Sequence, residues 1–156
     1  MKMSGKRALA LRLVLILGVI FGFWIQAMAQ DDNSKPPGPA VSLIAPEELK
    51  AKFDNKQKVT VIDVRGSESY AASEKTIKGA IHVKLRRLKF RLGFPPLKNI
   101  PRDQEIVTYC ACQGETSSIL AAQVLLTSGF KNVRALKGGW TEWLKISGPV
   151  EPRPKG

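Results

Sequence analysis

The chain has 156 residues and carries 25 Lys and Arg against 13 Asp and Glu, a formal charge of +12, with one histidine and two cysteines. That length holds one domain with a single sizeable core and leaves no room for two. A lone histidine beside a cysteine pair separated by one residue gives neither a zinc site nor a cysteine–histidine dyad its usual complement of ligands.

The N-terminus has the layout of a secretory leader. "MKMSGKRALALR" is basic, "LVLILGVIFGFWI" is apolar, and "AMA" ends in small residues. The apolar core, Leu13 to Ile25, is shorter than the roughly 20 residues of a membrane span, so residues 1–29 are expected to be a signal peptide cleaved after Ala29. The alternative is an uncleaved anchor, the one route by which the chain would contact a membrane. Cleavage removes four basic residues and no acid, so the formal charge falls to about +8. The small single-domain build points to the periplasm. Residues 30–42, "QDDNSKPPGPAVS", read as a flexible linker, and the tail at 151–156, "EPRPKG", reads the same way.

Between these ends the periodicity alternates. "APEELKAKF" (45–53) has Pro at a helix start, acids in the first turn and lysines later, which predicts a short helix. "VTVIDV" (59–64) is a β-branched, almost continuously apolar run, as a strand buried on both faces should be. Further strands are expected at "AIHV" (80–83), "EIVTYC" (105–110) and "VRAL" (133–136), with helical patterns at "SESYAAS", "LRRLKFRL" and "SSILAAQVLLTSG". The last of these takes Ser117 or Ser118 as its N-cap and Gly129 as its stop. Gly138 and Gly139 fit a tight turn before another helix. Strands alternating with helices predict an α/β domain with a mostly parallel sheet covered on both faces.

Sites in such sheets form where strands end and helices begin, and "TYCACQGETSS" (108–118) is such a junction. Its loop amides and the following helix N-terminus form an anion-binding pocket, and a thiol at its rim is stabilised as thiolate.

Four segments in order resemble the rhodanese-like sulfurtransferases over about residues 43–150. "VIDVRGSESY" is similar to the family's Asp-Val-Arg strand end and its acidic-aromatic turn. "TIKGAIHV" is similar to its Ile-Pro-Gly-Ala-Ile segment, "YC" to the strand end bearing its cysteine, and "GFKNVRALKGGWTEW" to its closing stretch. The resemblance implies that a cysteine takes a sulfane sulfur from thiosulfate or a persulfide and passes it to a thiol or cyanide-like acceptor. The persulfide would be cradled by Ala111, Cys112, Gln113, Gly114, Glu115, Thr116 and Ser117. No cofactor, metal or nucleic acid is implied. Asp63 and Arg65 match the family pattern as structural residues.

This chain departs from the family at three points. The loop is about two residues longer than the usual Cys-x-x-Gly-x-Arg-Ser, so counting from the strand selects Cys110 and counting back from Gly129 selects Cys112. Cys110 is preferred because a loop tolerates insertion better than a strand end. Glu115 stands where many members have arginine, and unless it points outward it raises the thiol pKa and repels thiosulfate. The missing arginine also argues against a phosphatase. Thr76 replaces a common histidine at a position that is usually structural.

The other readings of the cysteine pair are a disulfide, a two-thiolate copper(I) clip, or a silent rhodanese-like module binding a partner or copper. A disulfide across one residue makes better sense as a redox state, with Cys112 resolving an oxidised or persulfidated Cys110, than as a stabilising cross-link. "KLRRLKFRL" (84–92) reads as a solvated helix packing Leu85, Leu88 and Leu92, in preference to a lipid-binding patch. His82 reads as a partly buried strand residue, and Trp140 and Trp143 as packing.

Overall fold

A computed structural model describes residues 38–154. The leader, residues 30–37 of the linker and the last two residues lie outside this range.

The elements run β1 (Ser42–Ile44), α1 (Pro46–Asp54), β2 (Thr60–Asp63), α2 (Ser67–Ala71), β3 (Lys75–Ile77), β4 (Ile81–His82), α3 (Leu85–Arg91), β5 (Ile106–Tyr109), α4 (Thr116–Thr127), β6 (Val133–Leu136), α5 (Gly139–Lys145) and β7 (Val150–Pro152). Five strands form one sheet in the order β1-β6-β5-β2-β4, and every pairing in it is parallel. The four strands expected from the periodicity are its inner three and one edge. The α/β class is as the sequence predicts.

Helix α1 begins with Pro46 at its N-terminal turn, where a missing N–H costs nothing, and has Glu47 and Glu48 against the positive end of its dipole. Successive residues of the central strands point to opposite faces, so each strand feeds two cores. Val61, Val107, Tyr109 and Leu136 pack with Leu49 of α1 and with Trp140 and Trp143 of α5. Ile62, Ile106, Cys110 and Val133 pack with Leu88 of α3 and with Ala121, Ala122 and Leu125 of α4. Leu85 and Leu92 are partly buried against that second cluster, so the expected leucine face of the basic helix forms.

Two boundaries differ from the sequence reading. The linker, read as running to residue 42, ends sooner: Ser42 pairs with Arg134 as the start of edge strand β1, and Val41 packs on the core. The tail begins later, because Val150–Pro152 pairs antiparallel with β3, matching Val150 to Ile77 and Pro152 to Lys75. Prolines at 149, 152 and 154 disguise a strand, yet on the edge of a two-stranded sheet Pro152 has no ladder partner to lose on its open side. Arg153 extends the attachment, its backbone N–H donating to Glu74 O and its Nε to Ser73 O.

The N-cap of α4 also differs. The helix starts at Thr116 after Glu115, which adopts a left-handed φ of 54°, and no side chain caps it. Ser118 instead donates its hydroxyl to Glu115 O at 2.8 Å. Gly129, with φ 92°, ends the helix as expected.

One charged chain crosses the bottom of the sheet: Glu48–Arg134–Glu105–Lys52, with Arg134 2.7 Å from Glu48 and Lys52 3.0 Å from Glu105. Burial alone would raise the Glu105 pKa, but hydrogen bonds from Arg134 and Lys52 outweigh it and hold the carboxyl below its ordinary 4.5. A carboxylate with a depressed folded pKa contributes stability that is complete above its unfolded value and is lost as pH falls through the folded one. Glu105→Gln should therefore cost about 1–2 kcal/mol near neutral pH. The gap in melting temperature between wild type and variant should close as the pH falls below about 4.5, which melts across that range will show.

Candidate functional site

Because β6, β5, β2 and β4 are parallel neighbours, their C-terminal ends share one rim, and the segments leaving them meet there. Cys110 leaves β5, Arg65 to Ser67 leave β2, Lys84 to Arg86 leave β4, and Lys137 to Gly139 leave β6. The sheet order places the β6 segments on one side of Cys110 and the β2 and β4 segments on the other.

The β2 end is held by a buried ion pair. Arg65 donates from Nη2 to Asp63 Oδ2 at 2.7 Å and from Nε to both carboxylate oxygens, and its backbone N–H donates to Oδ1 at 3.0 Å. Tyr109 donates its hydroxyl to the same carboxylate at 2.7 Å, and Thr76 Oγ1 lies 3.3 Å from it. Burial first, and then the neighbouring Asp63 charge, push the Tyr109 phenol well above its ordinary value, so it remains a donor. The guanidinium lies 4.4 Å from the Trp140 ring centroid, with Tyr70 and Tyr109 also within cation–π range. Asp63 and Arg65 thus form a buried ion pair at the strand end, and Thr76 fills its position as a buried hydrogen-bond partner.

At the end of β5 the structure joins Cys110 and Cys112 in a disulfide with their Cα atoms 5.6 Å apart. This differs from the preference for a free thiol in the loop. The physical reason is that a single intervening residue leaves the two Cα atoms 5.6 Å apart, within ordinary disulfide range. Cys110 is buried, 2% exposed, while Cys112 is exposed. Joined to each other, neither offers a thiolate to copper, and among the described residues no cluster of three or more His, Cys, Asp or Glu adds ligands.

The loop is fixed from three directions. Cys110 O accepts from the Trp140 N–H at 2.9 Å, and a Cβ on Gly139, whose φ is 52°, would collide with that same carbonyl. Thr108 Oγ1 donates to Ser118 O at 2.8 Å, tying β5 to the start of α4, and Ser118 Oγ lies 3.8 Å from Cys110 Sγ. Glu115 accepts from the Gly138 N–H. Its carboxylate therefore lies on the β6 side, in a cleft of about 430 Å³ with Pro46, Lys137 and Glu142. Glu115 points away from the β2 and β4 side, which removes the conflict that its charge raises in the sequence.

On that other side Ser117 lines a cleft of about 290 Å³ with Gly66, Ser67, Lys84 and Arg86. A second cleft, about 410 Å³, continues from Lys84 to His82, Arg87 and Arg91. Among the described residues no carboxylate lines either one, so the rim next to the loop is strongly basic. The basic helix packs its leucines inward and keeps Arg86, Arg87 and Lys89 exposed, as expected, and Lys84 and Arg86 line the same cleft as Ser117. Of the expected cradle residues, Glu115 and Ser117 fall on opposite sides, and Ala111, Cys112, Gly114 and Thr116 are exposed. Sequence reading missed Lys84 and Arg86, although their place right after a strand end was the signal. It also passed over Ser118 as a neighbour of the sulfur.

His82 is partly buried, stacked on Tyr70 at 3.5 Å between ring centroids, with Nε2 3.2 Å from Arg65 O. It faces the second cleft and does not meet Cys110.

Comparison with known proteins agrees with this architecture. The family model for the rhodanese-like domain matches residues 45–146. The rhodanese-like domain of an Anabaena protein, solved by NMR, is 27% identical over 75% of this chain and 87% of its own, with a TM-score of 0.59. A full-length protein from Lactobacillus plantarum is 28% identical over 71% of this chain and 88% of its own, with a TM-score of 0.61. A thiosulfate sulfurtransferase from Pseudomonas aeruginosa, 21% identical over 72% of this chain and 20% of its own, shares the fold at a TM-score of 0.58. Among curated proteins no sequence matches the chain. With a matched segment that spans nearly all of the described residues and a cysteine loop at the rim of the parallel sheet, the chain belongs to the rhodanese-like domain family.

Proposed function

We propose that the domain is an exported sulfurtransferase that carries a sulfane sulfur as a persulfide on Cys110. The observation that supports this best is the place of Cys110: the end of a central strand, before the 12-residue helix α4, whose Ser117 lines a cleft with Lys84 and Arg86. In the reduced protein, the helix N-terminus and these cations favour the Cys110 thiolate. The thiolate attacks the outer sulfur of thiosulfate, the sulfur–sulfur bond breaks, and sulfite departs with the electron pair. A thiol or cyanide-like acceptor then attacks the outer sulfur of the persulfide and returns Cys110 as thiolate. Lys84 and Arg86 supply the positive charge that the family's loop arginine would bring, and Glu115 spends its charge on Gly138. The basic, apolar and small-residue layout of residues 1–29 supports a periplasmic setting for this chemistry.

The closed disulfide favours a second reading, a non-catalytic rhodanese-like module, because it leaves no nucleophile in the oxidised protein. One experiment separates the two. The reduced Cys112→Ser mature domain incubated with thiosulfate or a small persulfide should gain sulfur by intact mass, and Cys110→Ser should gain none. If no variant or donor gives a sulfur adduct, the silent module stands, whereas sulfur uptake by Cys110→Ser but not by Cys112→Ser transfers the role to Cys112.

Replacing Lys84 and Arg86 together by Ala should raise the KM for thiosulfate about tenfold with little change in kcat, the loss of two partly screened charge contacts of roughly 0.7 kcal/mol each. Steady-state kinetics at low salt will test this. N-terminal sequencing of the exported protein should begin at Gln30, and a start at Met1 or Lys2 would refute cleavage.

A further inference from the structure

We infer that Cys112 is the thiol that resolves the persulfide on Cys110, so that the domain releases the sulfane sulfur as sulfide and ends its half-cycle as the disulfide seen in the structure. This rests on the sulfurtransferase reading and adds to it the fate of the sulfur.

Three observations lead here. First, the two sulfurs are joined, so the loop brings Cys112 Sγ to bonding distance of Cys110 Sγ, the inner sulfur of a persulfide on that residue. Second, Cys110 is only 2% exposed while Cys112 is exposed. An external thiol meets the outer sulfur of such a persulfide, and Cys112, carried on the same loop, is the thiol placed to reach the inner one. Third, the conformation that joins the sulfurs is held by bonds independent of the disulfide: Trp140 N–H to Cys110 O, Gly138 N–H to Glu115, and Ser118 Oγ to Glu115 O. The reduced loop keeps these restraints, and a nucleophile held in place competes at a high effective concentration against any thiol in solution.

The step balances without another reactant. The Cys112 sulfur forms a bond to Cys110 Sγ, the bond from Cys110 Sγ to the outer sulfur breaks, and the outer sulfur leaves with that electron pair and the Cys112 proton as hydrosulfide. Two cysteine thiols are oxidised to one disulfide while the sulfane sulfur is reduced to sulfide. An external thiol of low molecular weight, or a dithiol, then reduces the disulfide and restores the pair.

The test is a single turnover without oxygen. Reduced mature domain, freed of reductant, is mixed with thiosulfate, with a donor-free sample setting the background of disulfide formation. The wild type should release about one sulfide per chain and show, by intact mass, a loss of two hydrogens and no retained sulfur. Cys112→Ser, a change at an exposed position, should keep one added sulfur and release sulfide only when a small thiol is supplied. Wild type that retains the added sulfur with Cys112 free, or Cys112→Ser that releases sulfide as fast as wild type, overturns the inference and leaves the transferase reading intact. Failure of Cys112→Ser to take up sulfur from thiosulfate or from a small persulfide removes both.

Discussion

The Asp63 carboxylate is the fixed point of this domain. It is fully buried and would be untenable alone, yet it accepts from Arg65, Tyr109 and Thr76, which come from the end of β2, from β5 and from β3. A buried ion pair of this kind is a weak source of net stability and a strong source of geometry, since removing either partner strands a charge. Among the described residues the Arg65 Nη1 atom has no hydrogen-bond partner, and the aromatic faces of Trp140, Tyr70 and Tyr109 around the guanidinium supply its compensation. Tyr109 is the residue before Cys110, so the same carboxylate that locks β2 also fixes the strand end from which the cysteine loop departs.

From that point charge is sorted across the rim by strand order alone. With β5 between β6 and β2, an acidic loop residue and a basic segment on opposite sides need not meet. Glu115 is drawn to the amide of Gly138 at the start of α5, and the cations from the end of β4 are left unopposed beside Ser117. A loop that looks unsuited to an anion when read along the chain is suited to one when read across the sheet.

This is also where the sequence was legible and where it was not. Local signals located the elements well: β-branched runs found four of the five parallel strands, Pro46 and Gly129 marked helix ends, and the leucine spacing of residues 85–92 predicted which face of α3 turns inward. The missed pieces, β1, β3 and β7, are three-residue strands defined by partners far along the chain, with too few residues to show a period. The site divided in the same manner. Cys110, Asp63 and Arg65 sit in motifs and were visible, but the charge balance around the loop depends on which strands are neighbours, a fact of topology that no window of residues contains.

The unequal exposure of the two sulfurs gives the oxidised loop a direction. A thiol arriving from solvent meets Cys112 first, so Cys110 is expelled as the leaving group. The intermediate on the way back to the dithiol is thus capped on Cys112 and free on Cys110. On the proposed sulfurtransferase reading, while that cap remains the loop holds a carrier sulfur and no resolving one, and whatever it loads goes to an outside acceptor. On that reading the reducing power of the surroundings, through how long the cap persists, sets whether the loop would discharge sulfide or hand sulfur on.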